Sequence, residues 1–434
     1  MILCIYTIGR RLYMITEIRA KNCYAFDKEV VFSLKADMRN KRFAANVNSV
    51  GNFNVLKTAG IYGSNNAGKT NVIRCIHAIW SVLVNRGCSA SNNIFSGNPL
   101  VELGVTFIFE GREFSYDFKY DIAKNEYVYE CFCEVFKDIH GNERKETWLL
   151  KDVINGNFEA VDEKVREMAG IVARNNILMY LLDTTQFDRM GEMKRILTGF
   201  ASKIDIVDMN NIPLQKTIDL LKNKNSICEK MVNFIKNADL YMDDYFFAEP
   251  QKIEVEQVNG NMKPQEDVLN IHDRLLEQIR LTSVYKGVAV PSLLFDSTGT
   301  KKIVALASYI IEALEGGRIL IIDELDSSIH FKLTRAIVNM FNNELNDKAQ
   351  MIFTVHDINL MDCKKMFRKE QIWFVHKDEA GVYLYSLAEF TAQDGVRDTT
   401  DIIEKYRKGA LGALPDPELI NSLLEIRGEG GANE

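Results

Sequence analysis

One stretch of the sequence limits the possible folds more than any other: residues 63–70 fit the pattern G-x-x-x-x-G-K-[ST]. Gly63 and Gly68 let the backbone curl so that consecutive N–H groups face a phosphate. Lys69 would reach the β- and γ-phosphates, and the Thr70 hydroxyl would coordinate Mg²⁺. The residues predicted to surround the phosphates are Gly63, Ser64, Asn65, Asn66, Ala67, Gly68, Lys69, Thr70 and Asn71.

The segments on either side of this loop support the prediction. Residues 55–62 are mostly apolar and rich in strand formers, and residues 71–83 carry apolar residues at helical spacing. The motif requires a strand before the loop and a helix after it, whose positive dipole end faces the anion. The alternative is a Gly/Asn-rich turn with a stray lysine, which the flanking segments disfavour. The sequence therefore predicts a site for a nucleoside triphosphate.

The charge distribution leaves the choice of partner open. The 434-residue chain has a formal net charge of −7, but residues 1–100 contain 13 Lys or Arg against 4 Asp or Glu. Overall charge therefore does not indicate nucleic-acid binding. The basic first part is typical either of a phosphate-binding lobe or of a surface that faces DNA or RNA. The length suggests two or three domains, or one elaborated α/β domain.

Cysteine usage and apolar runs indicate a cytoplasmic protein. Eight cysteines are scattered without a C-x-x-C pair or a Cys/His zinc spacing, which predicts reduced thiols. No run approaches 18 uninterrupted apolar residues, so we expect no membrane partner. Residues 1–8 lack the basic start of a signal peptide. Because a clear strand pattern begins near Met14, we expect an N-terminal extension, with Met14 as the natural start.

The first lobe, residues 15–160, is predicted to be rich in strands. Strands are expected at residues 15–22 and 29–34, and the polar, basic residues 37–54 predict a loop near the nucleotide. Runs separated by turn residues predict an antiparallel meander over residues 101–110, 113–120 and 127–137, extended by residues 146–151 and 157–160.

The pattern changes after residue 160. Residues 161–246 carry amphipathic helical patterns without sustained heptads, which predicts a helical lid or arm rather than a long coiled coil. Strand patterns return at residues 252–258, 279–285 and 288–295, with a polar hinge at residues 259–267 and a frayed tail after Gly428.

A second motif supplies acidic residues. Within residues 317–324, four apolar residues run directly into Asp323 and Glu324. Such a run is typical of a buried parallel strand that delivers a carboxylate to the carboxyl edge of a sheet. We expect Asp323 to bind Mg²⁺ through water and Glu324 to deprotonate the attacking water. Alone the pattern also fits an ordinary strand-to-helix turn, but the phosphate-binding loop at residues 63–70, the P-loop, favours the site.

Two further features follow the same logic. Ser297, Gly299 and Thr300 stand at the start of a helix predicted over residues 302–314, where they could bind an anion or serve only as an N-cap. Residues 351–356 predict another strand, which ends at His356. A lone histidine is usually structural, but a neighbouring strand of the same sheet would place this one beside the γ-phosphate.

This order of motifs resembles the ABC-type ATPase heads of the SMC/RecF/OLD group. More narrowly, it resembles the bacterial AAA family ATP-binding proteins that are often encoded in phage-defence operons. The similarity runs from Ile15 to about Pro415. It includes Ile-x-x-Ile-x-x-Lys-Asn-x-x-x-Phe at residues 15–26 and Asp-Thr-Thr-Asp…Tyr-x-x-Gly-Ala-x-Gly-Ala at residues 398–413.

The resemblance implies roles for particular residues. Ser297 and Gly299 would act as the signature motif, which touches the γ-phosphate held by the partner subunit. Asp326 would stand for the D-loop, and His356 for the switch histidine that senses the γ-phosphate. ATP and Mg²⁺ are the implied ligands.

The sequence departs from the family pattern in several places. Its signature is Ser-Thr-Gly-Thr instead of Leu-Ser-Gly-Gly-Gln, and only Gln186 is a candidate for the Q-loop glutamine. Long coiled-coil arms are missing from the pattern. The 78 residues after His356 predict a hairpin and a short helix without a two-metal carboxylate set, so a nuclease would be on another chain.

The implied fold is α/β, a P-loop NTPase of ABC/SMC-head type with a mixed central sheet, an antiparallel meander and a helical insertion. The predicted divisions are an N-terminal extension (1–14), lobe I (15–160), the helical insertion (161–246), lobe II (247–415) and a C-terminal tail (416–434).

The implied activity is hydrolysis of ATP by a homodimer or larger homo-oligomer that sandwiches the nucleotide. The favoured role is a sensor or regulator in antiviral defence that controls a separate nuclease or toxin. A RecF-like DNA-binding ATPase in DNA repair is the alternative. A kinase or GTPase is disfavoured, because the sequence has no N-K-x-D guanine motif.

Overall fold

The computed structural model describes residues 12–50, 53–138, 142–169, 174–181, 188–238, 240–248, 276–397 and 400–414. Its strands are β1 (Tyr13–Lys21), β2 (Val30–Ser33), β3 (Val47–Val50), β4 (Phe53–Leu56), β5 (Thr58–Tyr62), β6 (Leu100–Phe109), β7 (Arg112–Asp121), β8 (Glu126–Lys137), β9 (Glu143–Asp152), β10 (Asn157–Ala160), β11 (Ile204–Asp208), β12 (Asp244–Phe247), β13 (Leu281–Tyr285), β14 (Val288–Pro291), β15 (Ile319–Asp323), β16 (Gln350–Thr354), β17 (Ile372–Asp378) and β18 (Gly381–Ser386). Its α-helices are α1 (Lys69–Leu83), α2 (Glu163–Ala169), α3 (Leu178–Leu181), α4 (Asp188–Ala201), α5 (Gln215–Asn223), α6 (Ser226–Asn237), α7 (Ser292–Phe295), α8 (Thr298–Gly316), α9 (Phe331–Asn342) and α10 (Ile402–Arg407).

A six-stranded mixed sheet forms the centre of the molecule, in the order β11-β15-β16-β5-β17-β18. The first five strands are parallel, and β18 runs antiparallel to β17. Every residue of β5 and β16 is buried, as expected of parallel strands covered on both faces. Because parallel strands end at one edge, the P-loop after β5, Asp323 at the end of β15 and His356 just beyond β16 share that edge. The predicted mixed α/β sheet is confirmed.

A second, seven-stranded sheet has the order β10-β9-β8-β7-β6-β1-β2 and is antiparallel throughout. Strands β6 to β10 are consecutive in the chain and pair with their sequence neighbours through short connections. The predicted meander is therefore confirmed. Strand β1 extends it by pairing with β6, which brings the start of lobe I into the same sheet.

Hydrophobic cores cover both faces of the central sheet. On one face, α1 and α4 pack with the meander, where the ring of Phe107 stacks on Phe200 with 3.9 Å between ring centroids. Burying an aromatic side chain of this size contributes about 1.5–3 kcal/mol, so these contacts fix α4 to the sheet. On the other face, α8 and α9 pack through residues such as Leu306 and Ile337.

The segment predicted as a helical insertion also contributes a strand to the central sheet. Between α4 and α5 the chain forms β11, which pairs in parallel with β15 along its whole length. The expectation of a purely helical lid or arm is therefore wrong at residues 204–208. The strand Ile-Asp-Ile-Val-Asp is short, and two of its five residues are polar, so it does not stand out between helical patterns. Helices α5 and α6 pack against α8.

Residues 37–50, 53 and 54 do not lie near the P-loop, contrary to the expectation from the basic character of residues 37–54. They include β3 and the first residues of β4, which pair antiparallel, and they pack at the amino ends of the central strands. The Asn46 amide donates to Gln371 Oε1 at 2.7 Å, and the Arg368 guanidinium donates to the carbonyl oxygen of Asp37 at 2.6 Å. Because the P-loop follows the carboxyl end of β5, the two segments occupy opposite edges of the sheet.

The segment before the predicted signature is only partly a strand. Residues 288–295 were expected to be extended throughout, but β14 ends at Pro291 and the next four residues form α7. Strands β12, β13 and β14 make a three-stranded antiparallel sheet, in agreement with the strand expected at residues 279–285. Predictions for residues 1–11, Gln186, 252–258, 259–267 and 416–434 lie outside the described residues.

Candidate nucleotide-binding site

The loop between β5 and α1 bends where glycines permit it. Gly63 has a φ of 153°, and a Cβ atom there would come within 2.3 Å of the carbonyl oxygen of Val375 on β17. Gly68 has a φ of 113° and caps α1, while Asn66 also adopts a left-handed φ of 61°. A side chain at Gly63 would therefore force the loop away from the neighbouring strand.

The other residues of the loop divide between solvent and core. Asn65 and Asn66 are exposed, Ser64 is half-buried and Ala67 is buried. Asn71 lies in the first turn of α1, where its backbone N–H donates to the carbonyl of Gly68 at 2.9 Å. The start of α1 has no acidic residue in its first turn, so its positive dipole end faces the loop uncompensated.

Lys69 turns back over the loop that precedes it. Its Nζ donates to the carbonyl oxygens of Gly63 and Ser64 at 2.9 and 3.1 Å, and it lies 3.4 Å from Nδ1 of His356. Burial lowers the pKa of Lys69, and the carboxylates of Asp326 and Glu324 oppose this effect. The ammonium group is thus largely desolvated beside the bend of the P-loop.

Thr70 and Asp323 bring a hydroxyl and a carboxylate together. Thr70 Oγ1 lies 3.3 Å from Asp323 Oδ1, which also accepts a 2.5 Å hydrogen bond from Thr354 Oγ1. Mg²⁺ prefers oxygen ligands and usually takes only one or two from the protein, with phosphate and water supplying the rest. This donor pair fits such an ion. The described residues hold no group of three or more His, Cys, Asp or Glu arranged for a metal.

Glu324 is held at both its backbone and its side chain. It has a φ of 56°, and its N–H donates to Thr354 Oγ1 at 2.8 Å. Its Oε2 accepts a 2.8 Å hydrogen bond from Asn210, and its Oε1 lies 3.9 Å from His356 Nε2. A left-handed backbone at a glutamate is unusual, and here it turns the carboxylate toward the edge that carries the P-loop.

Asp326 fixes the backbone that carries His356. Its Oδ2 accepts from the N–H groups of His356 and Asp357 at 3.0 and 2.7 Å. Its Oδ1 is buried and has no hydrogen-bond partner among the described residues. The predicted D-loop aspartate therefore orients the histidine through the main chain, two residues beyond the end of β16.

Ser297 begins α8, and its surroundings differ from those of the P-loop. Its Oγ accepts from the N–H of Thr300 at 3.1 Å, so the N-cap interpretation is correct as far as local structure goes. Gly299 lies against the turn after Glu324, since a Cβ there would be 2.6 Å from the carbonyl oxygen of Ser328. No hydrogen bond within the described residues joins Ser297 or Thr300 to the P-loop.

Sequence reasoning missed three residues that the structure brings to the site. Asn210 follows β11 and contacts Glu324, Thr354 ends β16 and contacts Asp323, and Lys302 on α8 donates to Ser327. Thr354 stands two residues before His356, so its position at the strand end could have identified it. Neither Asn210 nor Lys302 belongs to a motif.

These observations define the class of protein. The order of the central sheet, the P-loop after β5, the Asp-Glu pair after β15 and the antiparallel meander make the chain a P-loop NTPase with the fold of an ABC/SMC-type ATPase head. Residues 59–362 match the family described as "AAA domain, putative AbiEii toxin, Type IV TA system", and the chain belongs to this family. No match was found among curated proteins.

Solved structures of SMC heads resemble the chain at low sequence identity. The "SMC head domain from Thermotoga maritima" shares 12% identity with a TM-score of 0.41, over 86% of this chain and 98% of that one. An SmcHead bound to the C-winged helix domain of ScpA shares 14% identity with a TM-score of 0.47, over 86% of this chain and 97% of that one. A Smc head domain with an extended coiled coil, bound to the C-terminal domain of ScpA from Pyrococcus furiosus, shares 12% identity. Its TM-score is 0.42, and the match covers 91% of this chain and 100% of that one.

No helix in the described part of the chain is both long enough and apolar enough to cross a membrane.

Proposed function

We propose that the protein binds ATP with Mg²⁺ at the P-loop and hydrolyses it. The observation that carries this proposal is the convergence of Lys69, Thr70, Asp323, Glu324 and His356 at one edge of the central sheet. These side chains come from three different strand ends and supply a cation, two oxygen ligands, a base and a histidine. In-line phosphoryl transfer needs positioning and charge stabilisation of this kind.

Each residue has a distinct part in the proposed reaction. Lys69 and the N–H groups of the loop hold the phosphates, and Thr70 and Asp323 would hold Mg²⁺, which would neutralise charge on the phosphate oxygens. Glu324 orients the attacking water and accepts its proton. His356 senses the γ-phosphate beside Lys69.

The catalytic proposal predicts a specific pattern of defects. Glu324→Gln should bind ATP normally and lose at least about a hundredfold in turnover, because the amide cannot accept the proton. Lys69→Ala should lose binding itself. Phosphate release and the fluorescence of a labelled ATP analogue measure the two steps separately. A Glu324→Gln protein that turns over ATP at the parent rate would rule out this residue as the base.

We further propose that two protomers complete each site. Ser297 at the start of α8 is exposed and its hydroxyl only caps the helix, while Lys302 of the same helix donates to Ser327 and Ser328 rather than to the P-loop of the same chain. A second copy arranged head to tail would place its Ser297 against the γ-phosphate. ATP would then join the protomers, and hydrolysis would release them.

Light scattering with Glu324→Gln tests the composite site. We expect its mass to double on addition of Mg·ATP and Ser297→Arg to abolish the increase. Ser202→Arg is the matched control, because Ser202 is exposed just before the amino end of β11, at the opposite edge of the sheet. If the protein is already dimeric without ATP, the effect of ATP would be to rearrange the protomers within an existing oligomer and not to assemble them. A monomer that binds ATP but never associates would eliminate the composite site.

The proposed biological role is that of a sensor or regulator in an antiviral defence system in the cytoplasm, acting on a separate nuclease or toxin. Support comes from the family description, which names a toxin of a toxin–antitoxin system, and from seven free cysteines in the described chain. Expression with the neighbouring genes should protect bacteria from phage. Lys69→Ala should abolish protection and Lys28→Ala, an exposed lysine after β1, should not.

A RecF-like DNA-binding ATPase is the second candidate, favoured by the excess of basic residues in the first hundred positions. It predicts ATP-dependent binding of duplex DNA whose affinity falls steeply as salt rises. Fluorescence anisotropy of a labelled duplex at 50 and about 200 mM salt distinguishes the two, because the defence role requires no such binding.

A further inference from the structure

A chain of side-chain hydrogen bonds connects α8 to the carboxylate of Glu324. Lys302 Nζ on α8 donates to Ser327 Oγ at 2.9 Å, and the Ser327 hydroxyl donates to Asn210 Oδ1 at 3.0 Å. Asn210 Nδ2 then donates to Glu324 Oε2 at 2.8 Å. The chain runs in one direction only, because a lysine can only donate and an ionised carboxylate can only accept. The amide of Asn210 satisfies both neighbours in this orientation alone.

The turn between Glu324 and Ser328 makes this chain stiff. Both end residues have left-handed backbones, with φ values of 56° and 64°. The carbonyl oxygen of Ser328 lies so close to Gly299 that a Cβ atom there would be 2.6 Å away. Any displacement of the first turn of α8 must therefore move this turn, and with it Ser327, since backbone packed this tightly cannot yield locally.

Asn210 stands where three elements meet. It follows β11, Glu324 follows β15, and Ser327 belongs to the turn that leads from β15 toward α9. The side chain of Asn210 forms hydrogen bonds with both Glu324 and Ser327. Without Asn210, no hydrogen bond from the described residues would reach the Glu324 carboxylate, which would keep a 3.9 Å approach to His356, while the backbone N–H of Glu324 would still donate to Thr354. The rotamer of the carboxylate therefore depends on Asn210.

We propose that Asn210 is the positioning residue for Glu324, and that Lys302, Ser327 and Asn210 transmit the state of the α8 start to the carboxylate of the same protomer. This inference rests on the proposed sandwich dimer. When a second copy presents its γ-phosphate at Ser297, the first turn of α8 becomes fixed in place. Lys302 then holds the side chains of Asn210 and Glu324 in position through Ser327. Hydrolysis at one P-loop then depends on the nucleotide held by the partner, so the two sites act together.

Turnover of Asn210→Ala tests the positioning role. A hydrogen bond to a charged group contributes enough to predict a roughly ten- to hundredfold fall in kcat. KM for ATP should stay within about twofold, because Asn210 contacts the carboxylate and not the P-loop. Asn211→Ala, the exposed neighbour, is the matched control and should keep the parent kcat. An equal kcat in both variants would overturn the inference, and so would a loss confined to KM.

A double-variant cycle tests the connection to α8. Lys302→Met and Ser327→Ala should each lower kcat, and combining either with Asn210→Ala should cause no further loss, because one broken link already interrupts the chain. The parent should respond cooperatively to ATP, and Lys302→Met should respond with a Hill coefficient near one. Fully additive losses, or unchanged cooperativity in Lys302→Met, would overturn the relay.

The outcome also separates this inference from the proposed function. A parent protein that neither binds nor hydrolyses ATP would refute the proposed function. A parent that hydrolyses ATP cooperatively, with Asn210→Ala behaving like Asn211→Ala, would refute the relay alone. Because Lys302 and Asn210 lie on different elements, misfolding of one variant, seen as a lowered melting temperature, leaves the other to decide.

Discussion

Gln350 binds the backbone of Ile15 at two points. Its Oε1 accepts from the Ile15 N–H at 2.8 Å, and its Nε2 donates to the Ile15 carbonyl at 2.9 Å. Gln350 begins β16 in the central sheet, whereas Ile15 is on β1 of the meander, and both are fully buried. The β1–β6 pairing shifts register between Ile15 and Glu17, which frees these backbone groups for the contact. One amide side chain thus ties the two sheets together.

Gln350→Leu should lower the free energy of unfolding by about 2–4 kcal/mol, because it leaves a buried N–H and a buried carbonyl without partners. Urea unfolding followed by tryptophan fluorescence measures the change. Gln393→Leu, at an exposed position before α10, should leave the midpoint unchanged. Equal midpoints for the two variants would contradict the importance of the tie.

Thr354→Val should reduce ATP turnover by about ten- to a hundredfold while the fold persists. The hydroxyl of Thr354 donates to Asp323 and accepts from the Glu324 N–H, and valine keeps the volume but neither hydrogen bond. The control is Thr217→Val, which removes a buried hydroxyl bonded to Ser308, away from the site. Phosphate release and thermal melting of both variants separate a catalytic defect from a structural one.

Two glycines of α8 should respond in opposite ways to the same substitution. Gly299→Ala places a methyl group 2.6 Å from the Ser328 carbonyl oxygen, so we expect loss of the ATP-dependent mass increase with ATP binding retained. Gly316→Ala meets no atom of the described residues nearer than 3.6 Å, and we expect a gain of up to about 1 kcal/mol in stability. Light scattering and thermal melting test the pair. ATP-dependent association in Gly299→Ala would refute the close approach.

The pH dependence of stability should reveal the buried Lys57. Burial lowers the pKa of Lys57 from 10.5 to about 8, although Asp347 and Glu344 act in the opposite direction. Between these two pKa values the unfolded chain binds more protons at this residue than the folded protein. Its contribution to the free energy of unfolding therefore rises with pH across this window, and at lower pH the buried charge is a cost.

Lys57→Met removes that cost but also the hydrogen bond from Nζ to the carbonyl of Asn343. The lost hydrogen bond adds a cost of its own, so the quantity to follow is how the difference in melting temperature between variant and parent changes with pH. We expect it to favour the variant more at pH 7 than at pH 10.5. Lys28→Met, at an exposed site, should show a constant difference. A difference for Lys57→Met that is also constant would contradict the lowered pKa.

Local patterns in the sequence predicted the parts of the site that depend on neighbouring residues. The sequence correctly predicted the loop at residues 63–70 between a strand and a helix, the strand ending in Asp323 and the strand before His356. A few consecutive residues specify each of these features. Their meeting follows from the rule that parallel strands end at one edge. The structure brings these side chains together, while their chemical roles remain predictions.

Features that depend on distant residues could not be predicted in this way. Asn210 is 114 residues from Glu324 in the chain, and no spacing rule connects them. Strand β11 was missed because two of its five residues are aspartates, which helical patterns on both sides obscure. The basic residues 37–54 have a composition that suits a phosphate site, but composition does not specify which edge of the sheet a segment occupies.

The position of β5 in the central sheet has a consequence for biosynthesis. Its two neighbours, β16 and β17, come about 290 and 310 residues later in the chain. At ribosomal rates of about 5–20 residues per second, the P-loop strand waits roughly 15–60 s for the partners that hold it. Gly63 can contact Val375 only after β17 has been synthesised. We expect a nascent chain to be unable to hold ATP until its last third has left the ribosome, so no truncated product can act as the ATPase.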